Sequence, residues 1–322
     1  MSSFQEQSIA EDKPLVVWRF VDGKAGHEAQ TLGLVQALAR RRAVECVDLE
    51  TPSRWNAVCS WLIRRFPAGA GLPAPDLIIG AGHRTHVALL AARRAFGGKN
   101  VVLMQPSLPT SWFDACLIPQ HDAPPAAANV IETVGVLNPM LPASNARADR
   151  GLLLIGGPSK HHGWGTAAVV DQVRQVLAAD RQMQWLLTTS RRTPEDCEVA
   201  MLALNEVNLQ VVPVSETPRG WVAERLQECA CAWVSEDSVS MVFEALTAGA
   251  SVGLLSVPAL AEHSRVQLAA EGLVESGHVV RFAACLEHGD FTLPSVSPPL
   301  AEADRCAAEI LTRLRLPAGA IA

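Results

Sequence analysis

Short apolar runs alternate with helix-like stretches along almost the whole chain, and this alternation limits the folds available to it. Six such runs occur in the first 135 residues, beginning with LVVWRF (15–20) and AVECVDL (43–49). Helical patterns lie between them, at about 27–41, 52–66 and 84–96. Strands that are separated by helices pair in parallel, and helices cover both faces of the sheet. The first half is therefore predicted to be an α/β domain of the Rossmann-like kind.

A second series of the same kind follows a stretch rich in Pro, Asn and Ala at 136–151. It begins with LLLIGG (152–157) and ends with HVVRF (278–282). The helices predicted within it lie near 166–179, 195–206, 219–228, 239–248 and 261–273. Two Rossmann-like domains with a linker near 138–150 are the simplest interpretation. The predicted N-terminal domain spans 12–140 and the predicted C-terminal domain 150–298. The last predicted helix, within 299–316, is amphipathic and is expected to pack back on the first domain.

Composition and charge exclude several classes of protein. Hydrophobic residues make up 49% of the 322 residues and charged residues 19%, so the chain can bury a large core and is not disordered as a whole. The formal net charge of −6 argues against a sequence-independent nucleic-acid binder. Short basic clusters at 40–42 and 64–65 are typical of solvated helix ends, although a lipid-linked acceptor could also use them.

The expected location is the cytoplasm. The first fourteen residues are polar and acidic and lack the apolar segment of a signal peptide. No apolar run approaches the ~20 residues that cross a bilayer. The eight cysteines are scattered and match no zinc or thioredoxin-type spacing. We therefore expect reduced thiols and, at most, peripheral contact with a membrane.

Polar loops follow the predicted strands, and in open parallel sheets ligands bind beyond the carboxyl ends of the strands. The loops are DGKAGH (22–27), GAGHRTH (80–86), QPS (105–107), GGPSKHHG (156–163), TTSRR (188–192) and SEDS (235–238). We expect all of them to face one cleft between the domains. Glycine-rich turns before helices present backbone N–H groups to anions. None of these loops matches a dinucleotide fingerprint in its proper place or a P-loop.

The segment SEDSVSMVFEALTAG (235–249) gives the strongest signal of a ligand site. A helix places Ser240 and Glu244 on one face, four residues apart. The serines and the free amides of the helix start are expected to bind a pyrophosphate, and Glu244 a ribose diol. The alternative is that Ser235 or Asp237 caps an ordinary helix. A carboxylate on a largely buried helix should nevertheless have a partner.

Several loops of the second half are expected to converge on one diphosphate. We predict that Gly156, Gly157 and Ser159 meet the turn that contains Ser238, because these loops follow strands of one sheet and offer free N–H groups. A cation is expected beside them, either Lys160 or Arg191. The alternatives are that small residues only tighten the turns and that the basic residues are ordinary surface side chains.

The first half offers a candidate general base. His27 begins a helix after the first strand, and Asp22 in the same loop can orient its ring. The neighbouring positions Lys24, Gly26, Gly82, His83 and Gln105 are expected to form the acceptor side of the cleft. A structural histidine at a helix start is the alternative for His27. The pairs at 161–162 and 83…86 have no carboxylate or cysteine at ligand spacing, so no metal site is expected.

The ordered motifs DGKAGHEAQ, IIGAGHRTH, LMQPSLP, IGGPSKHHGW, TTSRRTP and SEDSVSMVFEA closely resemble the bacterial branch of the elongated-mitochondria (ELM) family, whose members are proposed glycosyltransferases. The resemblance covers nearly the whole chain. More distantly, the layout is similar to GT-B nucleotide-sugar transferases such as the N-acetylglucosaminyltransferase that completes lipid II. Gly26 and His27 occupy the positions of that enzyme's Gly-His pair, and 235–244 the positions of its nucleotide-binding segment.

The resemblance implies a two-domain GT-B protein with a nucleotide-sugar donor on the second domain and the acceptor largely on the first. It also implies a transferase that needs no metal or other cofactor. Two departures concern the ligands: KAGH replaces TGGH, and Asp237-Ser238-Val239 replaces a small Ser-Gly-Ala turn. The implied partners are a small-molecule nucleotide-sugar and an unidentified acceptor, either lipid-linked or otherwise part of the cell envelope.

Two other functions remain open for the same fold. One is a nucleotide-sugar 2-epimerase or hydrolase, and the other is a non-catalytic binding module that keeps the cleft. Polar loops in both halves favour catalysis.

Overall fold

The computed structural model describes residues 13–260 and 264–316, and the chain forms two compact units. Unit 1 contains the chain up to Pro139 together with the chain from Ala301 onward, and unit 2 is Met140–Leu300. The predicted helix at 261–273 begins with three residues that lie outside the described part. Within that part, no helix is long and apolar enough to cross a membrane.

Unit 1 is built on a six-stranded parallel sheet with the strand order β2-β1-β3-β4-β5-β6. Its strands are β1 (Leu15–Val21), β2 (Val44–Glu50), β3 (Leu77–Ala81), β4 (Lys99–Leu103), β5 (Ala115–Pro119) and β6 (Val130–Thr133). Its helices are α1 (Ala25–Ala39), α2 (Arg54–Ile63), α3 (His86–Phe96) and α10 (Glu302–Arg313).

Strand β1 carries apolar residues on both of its faces, with Arg19 as the exception, because both faces of this sheet are buried. Leu15 and Val17 belong to the core that includes α1, whereas Trp18 and Phe20 belong to the core that includes α2 and α3. The apolar side of α10, which includes Ile310, completes the first of these cores. The C-terminal helix is therefore part of unit 1 although it lies far from it in sequence.

Unit 2 repeats the plan with a six-stranded parallel sheet in the order β12-β11-β10-β7-β8-β9. Its strands are β7 (Arg147–Leu154), β8 (Gln184–Thr188), β9 (Leu209–Val212), β10 (Cys229–Ser235), β11 (Ser251–Leu255) and β12 (Val279–Arg281). Its helices are α4 (Thr166–Ala179), α5 (Glu195–Leu202), α6 (Trp221–Leu226), α7 (Val239–Ala248), α8 (Arg265–Glu275) and α9 (Phe282–His288). The α/β prediction is confirmed for both halves.

Two details of unit 2 differ from the sequence prediction. Strand β7 starts at Arg147, inside the predicted linker, because its first residues are exposed and polar and are held by backbone pairing with β10. Hydrophobic patterning cannot reveal such a strand end. The short helix α9 was not predicted, since a seven-residue element that buries only Phe282 and Cys285 gives almost no periodic signal.

Each sheet has one point where the strand order reverses. In unit 1 the chain runs from β1 to β2 and then returns to place β3 on the other side of β1. In unit 2 it runs from β7 through β8 to β9 and then places β10 on the other side of β7. Ligands of open α/β sheets bind at the carboxyl ends of the two strands that flank such a point. The loops after β1 and β3, and those after β7 and β10, are therefore the first places to look for a site.

Candidate functional site

In unit 1, a histidine and a buried aspartate form a pair after β1. His27, the third residue of α1, has its Nδ1 2.9 Å from Oδ2 of Asp22. The Asp22 side chain is 1% exposed and the His27 side chain 17%, so the ring alone reaches solvent. The other carboxylate oxygen accepts the Lys24 amide at 3.2 Å. A carboxylate accepts hydrogen bonds, so Nδ1 donates to it and Nε2 is left to act as a base.

The loop after β3 forms a wall against this imidazole. Gly82 has a φ of +76°, and a Cβ at this position would overlap the His27 ring, so only glycine fits. The guanidinium of Arg84 donates to the backbone carbonyl of Asp22 at 3.2 Å, which ties the two loops together. Two of the predicted loops therefore meet at the reversal point of the sheet.

The remaining predicted site positions of unit 1 have different surroundings in the fold. A Cβ on Gly26 would meet no atom within 4 Å, so packing does not require a glycine there. The side chains of Lys24 and His83 are exposed. Oε1 of Gln105 is buried without a hydrogen-bond partner among the described residues. Met104, just before it, has a φ of +70°, a strain that costs about 1–3 kcal/mol and is typical of functional loops.

In unit 2, the loops after β7, β8 and β10 meet around a buried carboxylate. The Asp237 side chain is fully buried, and its Oδ2 accepts from the Gly157 amide at 3.1 Å and from the Arg192 guanidinium at 2.6 Å. The Gly156 amide donates to the Ser235 hydroxyl at 2.7 Å. A Cβ on Gly156 would overlap the Asp237 carboxylate, which explains this glycine.

This network changes the predicted diphosphate site. The loops at 156–157 and 235–238 do lie together, but the amides of Gly156 and Gly157 are already used inside the protein, so the expectation that they are free is wrong. The acid that replaces a small residue in the turn attracts Arg192, whereas Arg191 is exposed and has no partner among the described residues. An aspartate in this turn needs buried donors, and the neighbouring loops supply them.

Ser159 and Lys160 also lie in this region, with different surroundings. The Ser159 hydroxyl accepts the amides of His161 and His162, both at 3.1 Å, so it closes its own turn. Lys160 is exposed and has no partner among the described residues. Ser159 is thus an organiser of the loop, and Lys160 is a cation that is free to meet a ligand.

The start of α7 remains open to an anion. Its N-cap residue, Ser238, makes no capping hydrogen bond, because its hydroxyl donates to Asp237 and accepts from Arg192. The amides of Val239 and Ser240 have no acceptor among the described residues, and the Ser240 side chain is exposed. Unpaired amides at a helix start attract negative charge.

Glu244 is the most perturbed carboxylate of the described residues. It lies in the second turn of α7, is half-buried, and has no hydrogen-bond partner in the described part of the chain. Burial raises the pKa of this side chain to about 7. The partner that sequence reasoning expected is therefore not supplied by the described residues, and a carboxylate perturbed in this way is typical of a functional site.

No three His, Cys, Asp or Glu side chains of the described ranges lie together as metal ligands. Neither the histidines at 161–162 nor those at 83 and 86 therefore belong to a group of three possible metal ligands among the described residues.

Comparisons with known proteins place the chain within a family and a fold. A family model described as mitochondrial fission ELM1 matches residues 25–314. An uncharacterized protein of Rickettsia prowazekii, RP120, is 28% identical over 117 residues, which is 33% of this chain and 32% of that protein. The chain thus matches about a third of the length of this relative.

Three solved structures show the fold at low sequence identity. The first, a Listeria monocytogenes protein provisionally named a UDP-N-acetylglucosamine 2-epimerase, has a TM-score of 0.60, 12% identity, and coverage of 95% of this chain and 98% of its own. A second UDP-N-acetylglucosamine 2-epimerase has a TM-score of 0.58, 12% identity, and coverage of 95% and 97%. The glycotransferase of kitacinnamycin has a TM-score of 0.51, 15% identity, and coverage of 94% and 100%. At this identity they show the GT-B type of fold and nothing finer.

Proposed function

The chain belongs to the mitochondrial fission ELM1 family and has a GT-B type of fold, and from this premise we propose that it is a metal-independent glycosyltransferase that uses a nucleoside-diphosphate sugar. The observation that carries the proposal is Glu244, a desolvated carboxylate without a partner beside an open helix start. Two hydroxyls of a ribose diol are the donors that such a carboxylate lacks. Binding them keeps the carboxylate charged in its buried site.

The diphosphate of the donor is proposed to bind at the start of α7. The amides of Val239 and Ser240 and the Ser240 hydroxyl supply hydrogen bonds, and the helix dipole offsets charge on the leaving diphosphate. Lys160 and Arg191 supply mobile positive charge. Arg192 and Asp237 hold the three loops in place without touching the ligand themselves.

His27 is proposed to take the proton from the acceptor hydroxyl as it attacks the sugar. Nε2 is the free nitrogen of the ring, and Asp22 fixes the orientation through Nδ1. The buried carboxylate stabilises the imidazolium that forms. Gly26, where packing leaves open space, allows a substrate to approach the backbone of α1.

The acceptor is proposed to be attached to a lipid. The outward side of α2 is apolar: Trp55 is 80% exposed, Leu62 61% and Ile63 62%. Trp55 and Leu62 are seven residues apart and share a helix face. Arg64 and Arg65 follow directly, and residues 51–75 contain no acidic side chain although the chain as a whole carries −6. An apolar helix face with tryptophan and flanking arginines suits the surface of an anionic bilayer.

A nucleotide-sugar 2-epimerase or hydrolase is the second candidate. Two of the structurally similar proteins carry the epimerase name, and their TM-scores exceed that of the glycotransferase. Such an enzyme would use the same donor site without an acceptor. A module that binds the nucleotide sugar without turning it over is the third.

One screen separates these functions. UDP-, GDP-, ADP- and CMP-sugars are tested for stabilisation of the full chain by thermal shift, and each binder is then incubated without acceptor while free sugars and sugar isomers are measured. The transferase predicts binding with neither product, and membrane extract then provides the acceptor for radiolabelled transfer. Isomers or free sugar without acceptor indicate the epimerase or hydrolase, and binding with no reaction at all indicates the module.

Glu244→Ala tests the donor site directly. The change removes two charge-assisted hydrogen bonds, each worth roughly 1.5–3 kcal/mol, so nucleotide affinity is expected to fall at least about tenfold. Arg219→Ala, a change at an exposed residue elsewhere in unit 2, serves as the control. Equal nucleotide affinity in wild type and the Glu244→Ala variant would contradict the assignment.

A further inference from the structure

A cavity lies in unit 1, next to the His27 loop. Its volume is about 250 Å³, and it is lined by the start of α2, the start of α3 and the loop after β4. The segment 82–84 connects the two places: Gly82 packs against the His27 ring, while His83 and Arg84 line the cavity. A ligand anchored in this cavity is thus held by the loop that supports the proposed base.

The lining is rich in positive charge. Arg54 and Arg84 contribute guanidinium groups, and no aspartate or glutamate is among the lining residues. Arg84 donates one hydrogen bond to the backbone carbonyl of Asp22 and none to a described carboxylate. Arg54 has no partner among the described residues and is exposed. In a chain with a net charge of −6, such a cavity is a local exception.

Backbone donors at the start of α3, beside the cavity, also lack acceptors. The N-cap residue Thr85 uses its hydroxyl for the carbonyl of Gly82, at 2.9 Å, and makes no capping bond to the helix. The amides of His86 and Val87 have no acceptor among the described residues, and both residues line the cavity. These amides are donors that an anionic oxygen can satisfy.

His86 gives an independent sign of a missing ligand. The residue is 1% exposed, its Nδ1 lies 3.2 Å from the Ser107 hydroxyl, and its Nε2 is buried without a partner in the described part of the chain. Burial lowers the pKa of the ring to about 4, with a smaller contribution from His83, so the ring is neutral near pH 7. When Ser107 donates to Nδ1, Nε2 carries the proton and needs an acceptor.

We propose that this cavity binds a phosphate group of the acceptor, through Nε2 of His86, the first amides of α3 and the guanidinium groups of Arg54 and Arg84. That the phosphate belongs to the acceptor rests on the proposed transferase function. The binding of a phosphate group in this cavity does not depend on that function. The phosphate belongs either to a free phosphate ester or to a lipid phosphate. Phosphate carries more acceptor atoms than a carboxylate, and the cavity offers more than two donors.

The test titrates the full chain with inorganic phosphate and with farnesyl phosphate while the His86 ring is followed by ¹H–¹⁵N NMR. His86→Gln identifies the ring signals, because they disappear in this variant. We expect both ligands to shift the Nε2–H signal. Tighter binding of farnesyl phosphate indicates a lipid source, and equal affinities indicate a free phosphate ester.

Arg54→Ala is the decisive variant, because Arg54 is exposed and its loss does not threaten the fold. We expect phosphate affinity to fall at least about fivefold, as for removal of one charge-assisted hydrogen bond. Arg174→Ala, at an exposed position of unit 2, removes the same charge far from the cavity in sequence and is expected to change phosphate affinity little. Equal loss in both variants, or no ligand-dependent change at His86, overturns the proposal. Nucleotide affinity is measured in parallel, so that a failure of the donor site is recognised separately.

Discussion

At the scale of single residues, the half-buried carboxylate of Glu244 is expected to affect both stability and ligand binding. Its folded-state pKa of about 7 lies above the ordinary value of 4.5, so the native state holds the proton more tightly than the unfolded chain. The stability that this provides is fully present below pH ~4.5 and is lost as the pH rises through 7.

Glu244→Gln is therefore expected to stabilise the ligand-free protein at alkaline pH. At pH 8 the free energy of unfolding should rise by up to about 3 kcal/mol relative to wild type, and the difference should shrink toward pH 5. Urea denaturation at several pH values measures it. Parallel pH profiles for the two proteins would contradict the burial of an unpaired carboxylate.

His27 is the second residue whose role has a specific signature. His27→Asn is expected to lower turnover of the nucleotide sugar by roughly 10²–10⁴-fold, because the proton acceptor is lost. Nucleotide affinity should stay unchanged, since the proposed donor site lies in unit 2.

Asp22→Asn provides the matched comparison, because it keeps a hydrogen bond to Nδ1 and removes the charge. A smaller loss of turnover than in His27→Asn is expected. A His27→Asn protein with normal turnover, or one that loses stability and nucleotide binding together, would argue for a structural histidine.

At the scale of elements, unit 2 depends on a contact between the loop after β8 and the start of α7. Arg192 pairs with the fully buried carboxylate of Asp237. Arg192→Ala leaves that charge with donors only from Gly157 and Ser238. We expect a loss of about 2 kcal/mol in unfolding free energy, less than for a fully buried pair, because the arginine side chain is 43% exposed.

The neighbouring Arg191 supplies the control for this prediction. Arg191→Ala removes the same charge from an exposed side chain without a described partner, so stability should change by less than about 0.5 kcal/mol. Chemical denaturation compares the two variants. Similar effects would show that Asp237 does not need Arg192.

The outward face of α2 is the second element with a testable role. Replacing Trp55 and Leu62 by serine is expected to weaken binding to vesicles of anionic lipid by roughly tenfold or more, since two large apolar side chains no longer enter the bilayer interface. Vesicle flotation or light scattering measures this binding, and neither method relies on the fluorescence of the replaced tryptophan.

Helix α5 offers a matched control, because Val199 is 60% exposed and Leu202 51%. Serine at these two positions should leave vesicle binding unchanged. Equal loss in both double variants, or no vesicle binding by the wild type, would contradict a lipid surface as the partner of α2.

At the scale of the whole molecule, the chain returns to unit 1 at its C-terminal end. Ile310 of α10 is fully buried in the core that α1 and β1 share. Ile310→Ala is expected to cost 2–5 kcal/mol of the stability of unit 1, through lost burial and the cavity that remains.

The proposed nucleotide site lies in unit 2, so nucleotide binding should persist in the Ile310→Ala variant. Leu286→Ala, at an exposed position of α9, serves as the surface control with an expected change below about 0.5 kcal/mol. If Ile310→Ala abolished nucleotide binding at temperatures below its unfolding transition, nucleotide binding would depend on the stability of unit 1.

Local sequence signals were sufficient to predict the parallel sheets and to locate the loops that carry polar groups. A parallel strand buried on both faces is largely apolar, as β1 and β10 are, so its position can be seen in the sequence. The pairing of Asp22 with His27 was also predictable, because the two residues are five apart in one loop.

Only the tertiary structure decided which groups are free to meet a ligand. Hydrogen bonds between loops far apart in sequence determine this, and hydrophobic periodicity carries no information about them. Asp237 takes the Gly157 amide, 80 residues away, and selects Arg192 over Arg191. In the same way, the strand order β2-β1-β3-β4 brings the start of α2 together with His86 and Ser107 around one cavity. The composition of each loop was visible in the sequence, and so was the meeting of the loops at 156–157 and 235–238, but the individual hydrogen bonds between loops were not.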